Sequence, residues 1–118
     1  MKTVLAFGTF DILHPGHISY LQQAKALGER LVVVVATDKN VQKIKGRPAV
    51  NGQEQRRELV AALRIVDEAI VGFEDDMIKS VEKVNPDIVA LGYDQKPDDE
   101  AVKKAFEERG IKAEIARM

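Results

Sequence analysis

The chain contains no cysteine in its 118 residues, no tryptophan and only two histidines. Without cysteine there is no disulfide, no thiolate nucleophile and no cysteine-based metal site. Aromatic residues make up only 5% of the chain, so few side chains are available to stack on a ligand ring. No apolar run approaches the roughly 20 residues of a membrane span. The apolar part of the N-terminus is short and soon meets Asp11 and His14, which does not describe a signal peptide. Basic and acidic residues nearly balance, at 18 and 19, for a formal net charge of -1. That balance argues against nucleic-acid binding by bulk electrostatics. No internal repeat or linker is visible. The expectation is one cytoplasmic domain, residues 1–118, with a single core.

What is there is an alternation of short apolar runs and helical patterns. Thr3–Gly8 is nearly continuously apolar and ends in glycine, as a strand buried on both faces would. From Gly16 onward Ile18, Leu21, Ala24 and Leu27 recur at helical spacing, and Gly28 stops the pattern. Leu31–Ala36 is β-branched and uncharged, the strongest strand signal present. Thr37-Asp38 suits a cap for a further turn of helix. The polar, basic stretch from Lys39 to Asn51, with Lys43, Lys45, Gly46, Arg47 and Pro48, reads as a mobile loop facing something anionic. Gln53–Leu63 is a helix with Asn51 as candidate cap and Leu59, Val60 and Leu63 on its buried side. Ile65–Val71 holds a short strand, and the interruption by Asp67-Glu68 suggests an edge or a partly exposed position. Asp75 and Asp76 cap a helix through Val84 that ends at Asn85-Pro86. Ile88–Leu91 is a buried strand running into Gly92. Asp98 and Asp99 cap a charged helix to Arg109, and Ile111–Ala116 alternates like a last edge strand. This order predicts an α/β fold: a doubly wound, parallel, five-stranded, Rossmann-like sheet with helices on both faces. Ligands of such sheets sit at the carboxyl ends of the strands.

The two histidines fall at one of those ends. Gly8-Thr9-Phe10-Asp11-Ile12-Leu13-His14-Pro15-Gly16-His17 joins the first strand to the first helix. Free N–H groups and the positive end of a helix dipole make such a turn an anion site. His14 and His17, three apart, can face one spot. Pro15 suits a first helical position, and Gly16 would let a ligand approach the backbone. Two imidazoles donating hydrogen bonds to phosphate oxygens suit an in-line nucleotidyl transfer, which needs no protein nucleophile. A zinc pair remains the other chemistry open to them. Arg56 and Arg57, beside Glu54 and Glu58, are also compatible with surface ion pairs.

The ten-residue turn resembles the HxGH signature of the cytidylyltransferase-like nucleotidyltransferases. The resemblance extends through Leu31–Asp38, the Lys-x-Lys-Gly-Arg-Pro run at Lys43–Pro48, Glu54-Gln55-Arg56, Val66-Asp67 and Pro86-Asp87-Ile88. With Leu91-Gly92-Tyr93-Asp94, the chain looks most like the archaeal FAD synthetases, which transfer AMP from ATP to FMN. Similar patterns occur in glycerol-3-phosphate cytidylyltransferases and in sugar-phosphate adenylyltransferases. The resemblance implies that His14 and His17 bind the phosphates and stabilise the transition state, and that Lys43 and Lys45 reach phosphate or acceptor. It implies a nucleotide site lined by Gly8, Thr9, Phe10, Asp11, Gly16 and Arg56. Gly92, Tyr93 and Asp94 would contact base and ribose, and Arg117 falls where the family has an arginine after its last strand. It further implies Mg2+ bound with ATP, no dedicated metal cage, no nucleic-acid or membrane partner, and a homodimer. In the family a hydroxyl-rich loop and a final helix follow that arginine and hold the β- and γ-phosphates. They are expected to be lacking here, so a nucleotide-binding domain with little or no turnover is the alternative.

Overall fold

The computed structural model describes residues 2–73, 78–92 and 99–118. The elements alternate as β1 (Thr3–Gly8), α1 (Pro15–Lys25), β2 (Arg30–Val35), α2 (Asp38–Lys45) and α3 (Gln53–Ala61), followed by β3 (Glu68–Val71), α4 (Ile78–Val84), β4 (Ile88–Leu91), α5 (Asp99–Glu108) and β5 (Glu114–Arg117). The five strands are all parallel, in the order β3-β2-β1-β4-β5. The doubly wound sheet expected from the sequence is therefore the one observed.

β1 is central, with Leu5 level with Val32 on one side and Val89 on the other. Period-2 alternation sends its side chains to two cores. Val4 and Ala6 pack with Leu21, Ala24 and Val60 under α1 and α3. Leu5 and Phe7 pack with Val81, Val102 and Phe106 under α4 and α5. The strand order reverses between β1 and β4, which opens a crevice at their carboxyl ends. β3 and β5 are the edges, which accounts for the charges in both.

Three local expectations change. Residues 38–45 are a helix rather than a mobile loop: the Thr37 side chain caps Asn40 N–H at 3.2 Å, and Gly46, at φ 71°, closes the other end. Val41 is its only buried residue, so the apolar period that would have announced it is missing. The cap of α3 is Gly52, not Asn51, because Asn51 is engaged elsewhere. Leu59 is 49% exposed, and Val60 alone of the expected trio is fully buried. Asp75, Asp76 and Asp98 lie outside the described residues. Asn85, in the left-handed region at φ 53°, ends α4 before Pro86 as expected.

Candidate active site

β1 delivers the chain to Gly8 at the mouth of the crevice. Phe10 then takes a left-handed φ of 52° and folds its ring back, leaving it 2% exposed. A Cβ on Gly8 would stand 2.5 Å from that ring, which is why position 8 is glycine. The Phe10 ring meets His17 edge-on, with centroids 5.3 Å apart. The strained turn thus buttresses the histidine.

His14 and His17 build the start of α1 between them. His14 is the N-cap, and its Nδ1 accepts the Gly16 N–H at 3.0 Å. His17 Nδ1 accepts the His14 N–H at 3.3 Å. Two imidazoles thus form a capping box of the kind usually made by a hydroxyl and a carboxylate. Each Nδ1 offers its lone pair inward, so each neutral ring carries its proton on Nε2. The rings stack with centroids 3.9 Å apart. Burial, then the neighbouring His14 and Lys45 charges, hold the His17 pKa below its ordinary value of 6.5. The result is two Nε2–H donors at a helix N-terminus, suited to phosphoryl oxygens. Gly16 also has a structural reason: a Cβ there would lie 2.8 Å from the His14 ring, so it makes room for the imidazole.

Asp11 is placed in the same turn. Its carboxylate accepts N–H groups of Val50 and Asn51, each at 2.8 Å, and the Asn51 side chain returns a bond to Asp11 O at 2.6 Å. Those backbone donors lower the Asp11 pKa. Asp11 therefore pins the α2–α3 loop to the turn. Beneath it lies Arg56, fully buried. Its Nε donates to Asn51 O at 2.9 Å. One Nη donates to Thr9 O at 2.9 Å and Ala36 O at 2.8 Å, and the other pairs with Asp38 at 2.8 Å. The sequence-based expectation of Arg56 against nucleotide meets a side chain with no solvent contact, holding the turn, the end of β2 and the starts of α2 and α3 together.

Tyr20 was not anticipated. One helical turn after His17, it reaches the last rung between β1 and β4, accepting Phe7 N–H at 3.2 Å and donating to Ala90 O at 2.7 Å. Burial pushes its pKa up to about 12, so it stays a donor. The phenol fixes α1, and with it the histidines, against the two strands that flank the crevice. The only signal in the sequence was a polar aromatic on the apolar face of a helix. Tyr20→Phe is expected to cost about 1–2 kcal/mol of stability in urea denaturation. Full stability would show that the hydroxyl ties nothing.

Arg117, at the end of β5, donates to Gly92 O at the end of β4, so both stand on the far lip of the crevice. Its charge reaches Tyr20. Tyr93 and Asp94 lie outside the described residues. Lys43 and Lys45 are exposed near the end of α2. Two positions apart on a helix, they point in different directions. It is the Lys45 charge that is felt at Asp11 and His17. Among the described residues no three acidic or histidine side chains gather as a metal cage. The Asp11 oxygens and both Nδ1 atoms already accept backbone N–H groups.

A doubly wound sheet with an imidazole-capped phosphate turn at its switch point defines a nucleotide-binding α/β domain of the nucleotidyltransferase kind. The chain belongs to the cytidylyltransferase-like family, which matches residues 5–117. It is 54% identical to the FAD synthase of Ferroglobus placidus over its whole length, spanning 76% of that protein. It is 48% identical to the FAD synthase of Aciduliprofundum boonei, again over its whole length and 78% of the relative. Among solved structures it resembles a protein of Thermoplasma volcanium described as a lipopolysaccharide core biosynthesis protein. There the TM-score is 0.95 at 45% identity, covering 100% of this chain and 96% of the other.

Proposed function

We propose that the protein is an FMN adenylyltransferase: it moves AMP from ATP to the phosphate of FMN, giving FAD and pyrophosphate. An FMN phosphate oxygen attacks the α-phosphorus in line; the bond from that phosphorus to the bridging oxygen breaks, and pyrophosphate leaves with the electron pair. The observation that carries the reading is the pair of Nε2–H donors of His14 and His17 at the start of α1. They meet the α-phosphoryl oxygens as negative charge grows there, where fixed donors count most. The likeness to FAD synthases, over the whole of this chain and about three quarters of theirs, supports the choice of acceptor.

In this reading the backbone of Gly8, Thr9 and Phe10 lines the nucleotide site, with Gly92, Tyr93 and Asp94 on the base side and Arg117 on the lip. Asp11, Gly16 and Arg56 position the turn, and Lys45, with Lys43 farther round the helix, meets phosphate. Mg2+ enters as part of the substrate, held by the triphosphate, because the described residues offer no cage of their own. The enzyme works in the cytoplasm, where both substrates are available. Pyrophosphate release from ATP plus FMN, compared with CTP plus glycerol 3-phosphate, tests the reading. Turnover only with the second pair, or with neither, would overturn it.

A further inference from the structure

Six large hydrophobic side chains are exposed among the described residues, and the three most exposed belong to the turn before α1, the last turn of α2 and the loop between α2 and α3. They are Ile44 at 81%, Val50 at 71% and Ile12 at 64%. Ile12 follows Asp11, whose carboxylate holds the Val50 N–H at 2.8 Å, so the loop carrying Val50 is tied to the residue before Ile12. Ile44 is in the last turn of α2, and after Gly46 the chain needs only four residues to return to Val50 and the turn. The other exposed aliphatics, Leu27 and Leu59, lie beyond the end of α1 and on α3. Exposed apolar side chains that come together beside a polar site form the kind of patch that marks a binding surface.

The rim formed by α2 and the loop after it is strongly cationic. Residues 39–53 contain Lys39, Lys43, Lys45 and Arg47 and no acidic residue. A ligand that suits both features has a flat apolar part and a phosphate. Aromatic stacking is scarce nearby: Phe7, Phe10 and Phe106 are core residues, and Phe73 is the one exposed aromatic among the described residues. Aliphatic side chains are then the surface available to a ring.

We propose that Ile12, Ile44 and Val50 form the shelf on which the ring system of the acceptor lies, with its phosphate drawn by Lys43, Lys45 and Arg47 toward the histidines. The proposal rests on the adenylyltransferase reading and adds the acceptor's place to it. The occupant is the isoalloxazine of FMN. Burial of one Ile or Val side chain against a ring is worth roughly ten-fold or more in affinity.

The test measures the KM for FMN and for ATP in the full chain, and FMN binding by quenching of its fluorescence. Wild type is compared with Ile44→Glu, Val50→Asp and, as a control away from the rim, Leu59→Glu. Ile44→Glu and Val50→Asp are expected to raise the KM and Kd for FMN about ten-fold or more, with the KM for ATP within about two-fold; Leu59→Glu should shift neither. All three positions are exposed, so urea midpoints serve to confirm folding. If wild type makes FAD and the rim variants keep its FMN affinity, the shelf is wrong while the reaction stands. If wild type neither binds FMN nor makes FAD, the adenylyltransferase reading falls and the shelf with it. A change of mass in sedimentation at unchanged FMN affinity would assign the rim to a second copy of the chain and overturn the proposal.

Discussion

Arg56→Met is expected to lower the unfolding free energy by about 2–3 kcal/mol, chiefly the cost of leaving three part-buried backbone carbonyls without the donor they share, since the Asp38 carboxylate is more than half exposed and loses little. Folded domains hold only about 5–15 kcal/mol in total, so the loss is a large share of the whole. The reason lies in what the guanidinium leaves behind. Thr9 O, Ala36 O and Asn51 O would lose their donor inside the protein, and Asp38 its partner. An unsatisfied buried carbonyl costs about 1–3 kcal/mol, and no water-sized replacement carries donors in this planar fork. Arg56→Lys should rescue little, since one ammonium cannot follow the geometry of five fixed N–H groups. A urea denaturation series at neutral pH reads the loss directly. A decrease below about 1 kcal/mol would mean that the network is ornamental. Because Arg56 grips Thr9 O, the surviving folded fraction should also bind ATP more weakly.

The second large effect falls on turnover with little change in fold. His14→Asn keeps a good N-cap and removes the Nε2–H. FAD formation is expected to fall about 10²–10³-fold in kcat, the scale set by deleting one preorganised donor to a transition-state oxyanion. Stability should stay within about 0.5 kcal/mol of wild type, whereas His14→Ala loses the cap as well, about 1 kcal/mol. His17→Ala should show a similar loss of turnover, and the double variant less than the product of the two, because the donors act on one group. Activity retained in His14→Asn would remove the histidine pair from the chemistry and leave it a cap. The pair also predicts acid sensitivity. His17 is held below 6.5 in the folded protein by burial first and by the His14 and Lys45 charges next, so the unfolded chain takes up that proton more readily. Stability is therefore complete above about pH 6.5 and falls as pH drops from there toward the lowered folded value. Asp11, also lowered, adds a separate loss only in stronger acid, as pH falls through its own folded value below 3.8. The midpoint in urea should drop as pH falls below about 6.5 in wild type and drop less in His17→Ala; equal drops would deny His17 the role.

Much of this is legible in the sequence. Leu31–Ala36 and Ile88–Leu91 are apolar enough to be buried on both faces, and helical patterns between them leave a parallel sheet as the arrangement with right-handed crossovers. Charges in Asp67-Glu68 marked β3 as an edge. The α2 helix escaped because it buries only Val41. A helix held by its caps shows no period, and the lysines and the Gly46–Pro48 punctuation spoke louder for a loop. Composition offers Arg56 surface ion pairs with Glu54 and Glu58, and the family resemblance offers it a nucleotide, whereas its partners are Asp38 and backbone carbonyls up to 47 residues away in sequence.

By itself the sequence determined the sheet, its two helical layers and the histidine turn at the end of the first strand, because those follow from local apolar period, glycine, proline and the spacing of two histidines. Only the tertiary structure decided which polar groups are spent inside the frame and which are left open at the crevice. Arg56 and Asp11 spend their hydrogen bonds inside the frame, Tyr20 ties α1 to the crevice, and the two imidazoles turn Nδ1 inward and keep Nε2–H free of partners among the described residues. A side chain's role depends on which donors and acceptors the fold brings within about 3 Å. Contacts between residues tens of positions apart leave no periodic trace in the chain.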